Sequence, residues 1–180
     1  LSETQREYLL KYADKEIDPA KKEAMKDEAI RYTSLYPFTA KCIAIGMYDI
    51  EKEKSYVYYE SDKLEEWNSE NTNVQYKGLP EKDMLESFWR VAQYADQLIT
   101  FNGRNFDVPF LMMRSAMLKV KPTKNLMGYR YGDIHIDLLE QFTFYSTTRK
   151  FNLDFFCFSF GIESPKAKDI SGMEVKTLYE

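Results

Sequence analysis

The segment at residues 98–117, LITFNGRNFDVPFLMMRSAM, constrains the fold of this chain more than any other stretch. It begins as an apolar, β-branched strand, breaks at Asn102-Gly103, and continues as an apolar helix from about Pro109. A strand that leads at once into a helix is the unit from which α/β proteins are built. One carboxylate, Asp107, lies at the junction. The sequence therefore raises the question of whether Asp107 caps the helix or binds a ligand.

Length and composition predict one folded domain. The chain has 180 residues, of which 44% are hydrophobic and 30% are charged, so it can bury a core. The net charge of −4 disfavours a non-specific nucleic-acid binder that relies on overall positive charge, although a local basic patch is compatible with it. Cys42 and Cys157 lack the C-x-x-C spacing of a zinc site, and no apolar run reaches the length of a membrane span. We expect a cytoplasmic protein that does not enter a membrane.

The order of predicted elements indicates an α/β fold. Two charged helices come first, at residues 2–16 and from Asp18-Pro19 onward, and we expect them to lie on the outside. Next come two strands at 41–49 and 55–61 joined as a hairpin, an irregular loop at 62–80, and a helix after Pro80. The remaining elements are strand 97–102, helix 109–118, the short strand DIHID, and two helices in LLEQFTFYS and NLDFFCFSFGI, the second of which ends at Gly161. This order predicts a mixed sheet with an antiparallel edge and a parallel half, flanked by helices.

Asp107 has two interpretations from the residues around it. An Asp two residues before a Pro at a strand-to-helix junction is a good helix cap, and the local sequence favours that role. However, Asn102-Gly103 lies at the carboxyl end of a predicted parallel strand, which is where open α/β sheets bind ligands. Residues 104–130 contain six basic side chains and one acid, Asp107. A lone carboxylate beside a basic flank suits a metal-bound phosphodiester.

The segment FNGRNFDVPFLMMR resembles the second exonuclease motif of the DEDD superfamily of ribonuclease H-like 3′–5′ exonucleases. It is most similar to the subgroup related to the proofreading domain of family B DNA polymerases. The motif is Asn-Gly-x-x-Phe-Asp-x-Pro-x-Leu-x-x-Arg, and this chain supplies Asn102, Gly103, Phe106, Asp107, Pro109, Leu111 and Arg114 in register. Downstream, HIDLLEQF and NLDFFCFSFGIESPKAKDISGMEV are also similar to that subgroup. The resemblance covers the chain from about residue 36 to its end.

This resemblance implies a metal-dependent exonuclease. Four acids of the family bind two divalent cations, Mg²⁺ or Mn²⁺, which activate water and stabilise charge on the phosphate. Asp107 would be one of these acids, and Asn102, Gly103 and Phe106 would contact the 3′ end of single-stranded DNA or RNA, with the Phe106 ring against a base. Arg114 would either contact a phosphate or form an ion pair on the helix surface. A role in DNA repair or proofreading follows from the same resemblance.

The chain departs from the family pattern at the other metal ligands. The family's first motif, Asp-x-Glu on a central strand, and its third motif, Tyr-x-x-x-Asp or a His counterpart, have no clear match. Asp49-Ile50-Glu51 has the spelling of the first motif, but charges at a turn followed at once by a pairing strand favour a hairpin. We therefore expect that both ends are truncated, that this fragment alone is nearly inactive, and that the intact protein carries the missing acids.

The expected architecture is a single ribonuclease H-like domain over residues 1–180 whose first strand is missing. Residues 1–35 would be a helical insertion, and the two hairpin strands would lie on one side of the absent central strand. Alternatively, strands 41–49 and 97–102 would pair directly and close the gap. The alternative function is a catalytically inactive nucleic-acid-binding or scaffold module on the same fold.

Three further features have structural interpretations. His135 is the only histidine and lies on a short apolar strand, so we expect a satisfied core or edge residue. Asp137 precedes LLEQF and is expected to cap that helix. The aromatic run FFCFSF is expected to pack in the core.

Overall fold

Helix caps and hydrophobic alternation place most elements where the sequence predicts them. A computed structural model describes residues 1–70 and 72–165. The helices are α1 (Glu3–Leu10), α2 (Pro19–Tyr32), α3 (Glu81–Tyr94), α4 (Asp107–Met117), α5 (Leu138–Phe142) and α6 (Leu153–Ser159). The strands are β1 (Ala44–Asp49), β2 (Lys54–Glu60), β3 (Glu65–Asn68), β4 (Val74–Leu79), β5 (Leu98–Thr100) and β6 (His135–Asp137).

The first two helices are capped by their own sequence and remain on the outside. Ser2 and Gln5 form the predicted capping box of α1, and the Asp18 carboxylate accepts hydrogen bonds from the first turn of α2, which begins at Pro19. Neither helix contains a buried residue, and α2 packs against α1 and two short 3-10 turns. The charged residues of this segment are therefore solvated, as predicted.

A four-stranded mixed sheet has the order β1-β2-β4-β3. The hairpin of β1 and β2 is antiparallel as predicted, β2 pairs with β4 in parallel, and β3 pairs with β4 in antiparallel orientation. The prediction of an irregular loop at 62–80 was wrong, because this segment supplies β3 and β4. Val74 and Tyr76 alternate with Gln75 and Lys77 as in a strand, but this alternation is too short to stand out among the surrounding polar residues.

A second sheet contains β5 and β6, which pair in parallel with Thr100 opposite Asp137. Within residues 1–70 and 72–165, β1 pairs only with β2, and β5 pairs only with β6. The alternative in which strands 41–49 and 97–102 pair directly is therefore wrong. The predicted class, an α/β fold with antiparallel and parallel strands flanked by helices, is confirmed.

The core lies between α3 and the four-stranded sheet and extends to α4. Met84, Leu85 and Trp89 on one face of α3 are almost completely buried, against apolar side chains of the sheet. The Trp89 indole N–H donates a 2.7 Å hydrogen bond to the hydroxyl of Ser115 on α4, so the one polar atom of this large side chain is satisfied. These contacts fix the position of α4, whose first residue is Asp107.

The aromatic run of α6 is only partly in the core. Phe156 packs against Phe101 and Phe142, with ring centroids 6.0 and 5.0 Å away. Phe158 and Phe160 are exposed, so the prediction that the whole run is buried was wrong. The helix ends as predicted, with Gly161 in the left-handed region at φ 68°. The similar segment further downstream, at residues 166–180, lies outside the described residues.

No helix in the described part of the chain combines the length and the apolarity needed to cross a bilayer.

Candidate active site at the end of β5

The loop between β5 and α4 is held by a carboxylate from the neighbouring strand. Asp137, at the end of β6, is almost completely buried. Its Oδ1 accepts hydrogen bonds from the backbone N–H groups of Asn102 (2.8 Å) and Leu139 (3.0 Å), and its Oδ2 accepts one from the N–H of Arg104 (2.9 Å). The contact with Leu139 is the predicted cap of α5. The two contacts with the loop were not predicted, and only the pairing of β5 with β6 brings these residues together.

Asn102 and Gly103 give this loop its shape. Asn102 has a left-handed backbone with φ 64°, a conformation that asparagine tolerates better than most residues, and its side-chain oxygen accepts a 3.0 Å hydrogen bond from Asn105. At Gly103, a Cβ would lie 2.6 Å from the Cβ of Thr100. Both residues of the motif are therefore needed for a tight turn, and their contacts with substrate stay a prediction.

Asp107 is not the cap of α4. It is the first residue of that helix, Phe106 occupies the N-cap position, and within the described residues no side chain caps the helix. The Asp107 residue is exposed, and the only backbone N–H beside its carboxylate is its own. Surrounding protein atoms raise the pKa of this carboxyl by removing part of its hydration, and the negative charge of Asp137 raises it further. A bound cation would stabilise the ionised form of such a partly desolvated carboxylate.

Asp107 fits one ligand position for Mg²⁺ or Mn²⁺. Both ions prefer oxygen ligands, and no described residue donates a side-chain hydrogen bond to this carboxylate. Asp137 does not offer a second ligand, since its oxygens are occupied by three backbone N–H groups. In residues 1–70 and 72–165 there is no group of three or more His, Cys, Asp or Glu that could hold a metal ion. The described residues therefore supply one ligand and not a complete metal site.

Phe106 lies next to Asp107 and presents part of its ring to solvent. Its exposed fraction is 41%, and the ring is tilted against that of Phe110 at 6.0 Å between centroids. Phe110 thus contacts the Phe106 ring, which remains partly accessible to solvent. This position is compatible with the predicted contact to a base.

Arg114 forms an ion pair, which is one of its two predicted roles. Its Nε and Nη2 donate 2.7 and 2.6 Å hydrogen bonds to the two carboxylate oxygens of Glu81, and both side chains are buried. Its Nη1 also donates to the carbonyl oxygen of Pro37 at 3.0 Å. The pair is buried and not on the helix surface, and it joins α3 to α4. The structure therefore gives Arg114 no contact with the surface on which Asp107 lies.

Asp49 and Glu51 belong to the hairpin between β1 and β2. Asp49 lies opposite Lys54, and its carboxylate accepts hydrogen bonds from the backbone N–H (3.1 Å) and the ammonium group (2.7 Å) of Lys52. These bonds lower the pKa of Asp49. The hairpin interpretation of this segment is confirmed.

His135 is a satisfied core residue, as predicted. Its Nδ1 lies 3.1 Å from the carbonyl oxygen of Leu126, and its Nε2 lies 2.9 Å from the hydroxyl of Thr100. A carbonyl oxygen only accepts, so Nδ1 carries the proton and Nε2 accepts from Thr100. Burial lowers the pKa of this imidazole, which is consistent with a neutral ring.

Comparisons with known proteins show the family of this chain. A family described as predicted 3′–5′ exonucleases related to the exonuclease domain of PolB matches residues 38–180. The chain belongs to this exonuclease family. A DNA polymerase of Desulfurococcus sp. (strain Tok) is 42% identical over 74 residues, in a match that covers 32% of this chain and 10% of the polymerase. The chain thus matches about a tenth of that polymerase's length. The family match includes β5, the site loop and α4, and it confirms the resemblance seen in the motif.

Proposed function

We propose that this chain is the catalytic domain of a 3′–5′ exonuclease that hydrolyses phosphodiester bonds at single-stranded nucleic-acid ends. The observation that carries the proposal is Asp107, an exposed carboxylate without a cationic partner in the described residues, at the end of β5 in a chain of the exonuclease family. Its raised pKa means that the ionised form of Asp107 costs free energy at this position when no cation is bound.

Each residue of the loop has a separate task in this proposal. Asp107 binds one of two divalent cations, Mg²⁺ or Mn²⁺, which when bound supply an activated water and stabilise the charge on the phosphate. Phe106 offers its exposed ring to the terminal base, and Asn102 and Gly103 contact the strand end. Asp137 fixes the loop through two backbone hydrogen bonds, so that these groups keep their positions without substrate.

The remaining metal ligands are part of the proposal. We expect the intact protein to carry an Asp-x-Glu and a Tyr-x-x-x-Asp whose carboxylates join Asp107. Sequencing the gene on both sides of this segment is the first check. Flanks without these acids would contradict the proposed metal site and would support the non-catalytic alternative.

A second candidate function is a non-catalytic nucleic-acid-binding module on the same fold. It is favoured by the absence, among the described residues, of any group of three or more potential metal ligands. The two candidates differ in whether a metal ion binds at Asp107.

The decisive experiment compares Asp107→Asn with a matched control, Asp96→Asn, which changes another exposed aspartate near β5. Both are made in the protein as the organism produces it. We measure the shortening of a 5′-labelled single strand with Mn²⁺, and the thermal stabilisation that Mn²⁺ produces. We expect Asp107→Asn to abolish both effects and Asp96→Asn to retain them. Wild-type protein that shows neither effect would contradict the exonuclease proposal and support the binding module.

A further inference from the structure

Three tyrosines form a continuous aromatic surface beside the site loop. The rings of Tyr129 and Tyr131 meet edge to face at 5.6 Å between centroids, and those of Tyr131 and Tyr145 meet at 4.5 Å. Tyr129 is 76% exposed and Tyr131 is 56% exposed, while Tyr145 is partly buried beneath them. We call Tyr129, Tyr131 and Tyr145 the tyrosine platform. The two outer residues, Tyr129 and Tyr131, are each more than half exposed to solvent.

The backbone that carries Tyr145 is strained. Phe144, Tyr145 and Ser146 have φ values of 47°, 56° and 74°, so three consecutive non-glycine residues are left-handed. Each such residue costs free energy and persists only where surrounding contacts hold it. Here the Tyr145 hydroxyl accepts a 2.9 Å hydrogen bond from Gln141, and its ring lies 5.7 Å from the Arg130 guanidinium. These contacts hold the strained turn, and the turn positions the ring of Tyr145, the third ring of the platform.

The platform also carries positive charge. The buried carboxylate of Glu140 is shared by two arginines: Arg130 donates to it at 2.6 and 2.9 Å, and Arg104 Nε lies 3.9 Å from it. The Asp137 carboxylate bound to the Arg104 N–H balances the second guanidinium of this cluster, so the part of the cluster that reaches the surface is the Arg130 side chain, which is 46% exposed. Asp133, which is also exposed, lies three residues further along the chain.

Arg104 connects the platform to the candidate active site. Its backbone N–H is bound by Asp137, in the loop that leads to Asp107, and its Nη2 donates to the carbonyl oxygen of Tyr129 at 3.2 Å. Arg104 is 8% exposed, and its Nε is the one buried side-chain nitrogen or oxygen without a hydrogen-bond partner in the described residues. The platform and the Asp107 loop are therefore joined through one buried side chain.

We propose that the tyrosine platform and Arg130 bind the bases and phosphates of single-stranded DNA next to the active site. Aromatic faces stack on bases of any sequence, and a guanidinium beside them neutralises a phosphate. Single strands fit better than a duplex, because stacking on a side chain requires an unpaired, splayed base. This inference rests on the proposed function for its substrate class, and it commits to DNA because the related protein is a DNA polymerase.

The test is a binding measurement in EDTA, which separates it from catalysis. Fluorescence anisotropy of a 5′-labelled dT₁₅ strand gives the Kd of wild type and of Tyr129→Ala, Tyr131→Ala and Arg130→Gln. We expect each tyrosine variant to weaken binding about tenfold, the loss of one stacked base. Arg130→Gln should reduce the slope of log Kd against log salt by about 0.7. Tyr94→Ala, which removes a tyrosine that is 79% exposed at the end of α3, is the matched control and should bind like wild type.

Two further variants test stacking itself. Tyr129→Phe and Tyr131→Phe keep the ring and should restore binding, whereas a hydrogen-bonding or structural role of the hydroxyl would not be restored. Wild type that binds dT₁₅ no more tightly than Tyr129→Ala and Tyr131→Ala would overturn the platform and leave the exonuclease proposal standing. Binding that depends on the platform in a protein without Mn²⁺-dependent cleavage would support the platform and contradict the exonuclease. Equally tight binding of a U₁₅ RNA would overturn the commitment to DNA.

Discussion

At the scale of single residues, the candidate site separates side chains that shape the loop from the one that is free to react. Asn102, Gly103 and Asp137 are used for turns and backbone hydrogen bonds. Asp107, only a few residues away, receives no such contact from a described side chain and has a raised pKa. The stabilising contacts therefore come from Asp137, whereas the proposed metal ligand is Asp107, and substitutions can tell the two carboxylates apart.

The two aspartates should respond in opposite directions to the same change. Asp137→Asn replaces an acceptor of three backbone N–H groups by an amide whose NH₂ faces one of these donors, and we expect it to lower the free energy of unfolding by about 3 kcal/mol. Asp107→Asn should leave the free energy unchanged or raise it. A raised carboxyl pKa means that the folded state holds the proton more tightly, so stability falls as pH rises from the unfolded-state pKa through the folded-state pKa, and the full loss is present above both. Urea unfolding at pH 7 without divalent metal measures both.

A second prediction concerns the close approach at Gly103. Gly103→Ala would force a Cβ to within 2.8 Å of the Thr100 Cγ2, and Thr100 is held by its hydrogen bond to His135. We expect a loss of about 1–3 kcal/mol in the free energy of unfolding, the usual cost of overpacking. Gly46→Ala is the control, because a Cβ there meets nothing within 4 Å. Equal stability of the two variants in thermal unfolding would contradict this account of the glycine.

The sequence could predict the position of these residues but not all of their tasks. Asp137 is recognisable as a cap because Leu138 and the helix follow it directly, whereas its bonds to the 102–104 loop depend on a partner strand 35 residues away. Asp107 looked like a cap because caps are recognised by spacing alone. The missing hydrogen bond is visible only in three dimensions.

At the scale of secondary-structure elements, a buried ion pair joins α3 to α4. The sequence left Arg114 undecided because Glu81 precedes it by 33 residues and nothing local links the two. In the same way, β4 was missed because its parallel pairing with β2 has no local signal. The antiparallel pair of β3 and β4 was missed because β3 is exposed along its whole length and shows no alternation of apolar residues. Local signals located the helices and the β1–β2 hairpin, whose turn is charged and short.

Removal of one partner of this ion pair should lower the free energy of unfolding. Arg114→Met leaves the Glu81 carboxylate buried without its guanidinium, and we expect a loss of about 3–5 kcal/mol. The double variant with Glu81→Leu should lose much less than the sum of the two single changes. Urea unfolding of the four proteins gives the coupling energy. A stable Arg114→Met variant with a lower salt dependence of DNA binding would instead support the phosphate contact.

At the scale of the whole molecule, the chain consists of a helical segment and a body. The family match begins at residue 38, after α1 and α2, and neither of these helices buries a residue. The sheet, the core and the candidate site all lie in the body. The prediction that residues 1–35 are an insertion stays a prediction.

Removal of residues 1–35 should therefore change the free energy of unfolding of the body by less than about 0.5 kcal/mol. The matched control removes residues 1–40, which also takes away the Pro37 carbonyl that accepts from Arg114. The variant that lacks residues 1–40 should be clearly less stable, because it leaves a buried guanidinium N–H of Arg114 without its acceptor. Thermal unfolding followed by circular dichroism compares the two. A large loss from the shorter deletion would show that the helices support the body.

The hydrogen bonds from Asp137 to the distant loop limit how this site can be transferred to another protein or inherited. A short peptide copied from residues 100–110 into another scaffold would not bring its conformation with it, since the carboxylate that fixes two of its amides stays behind on β6. Variation at Asp137 would abolish function without touching the reacting atoms, and restoring only the loop would not repair it. The conformation of the site therefore depends on both parallel strands, β5 and β6, and on the loop between β5 and α4. A related protein that keeps this site must keep both strands.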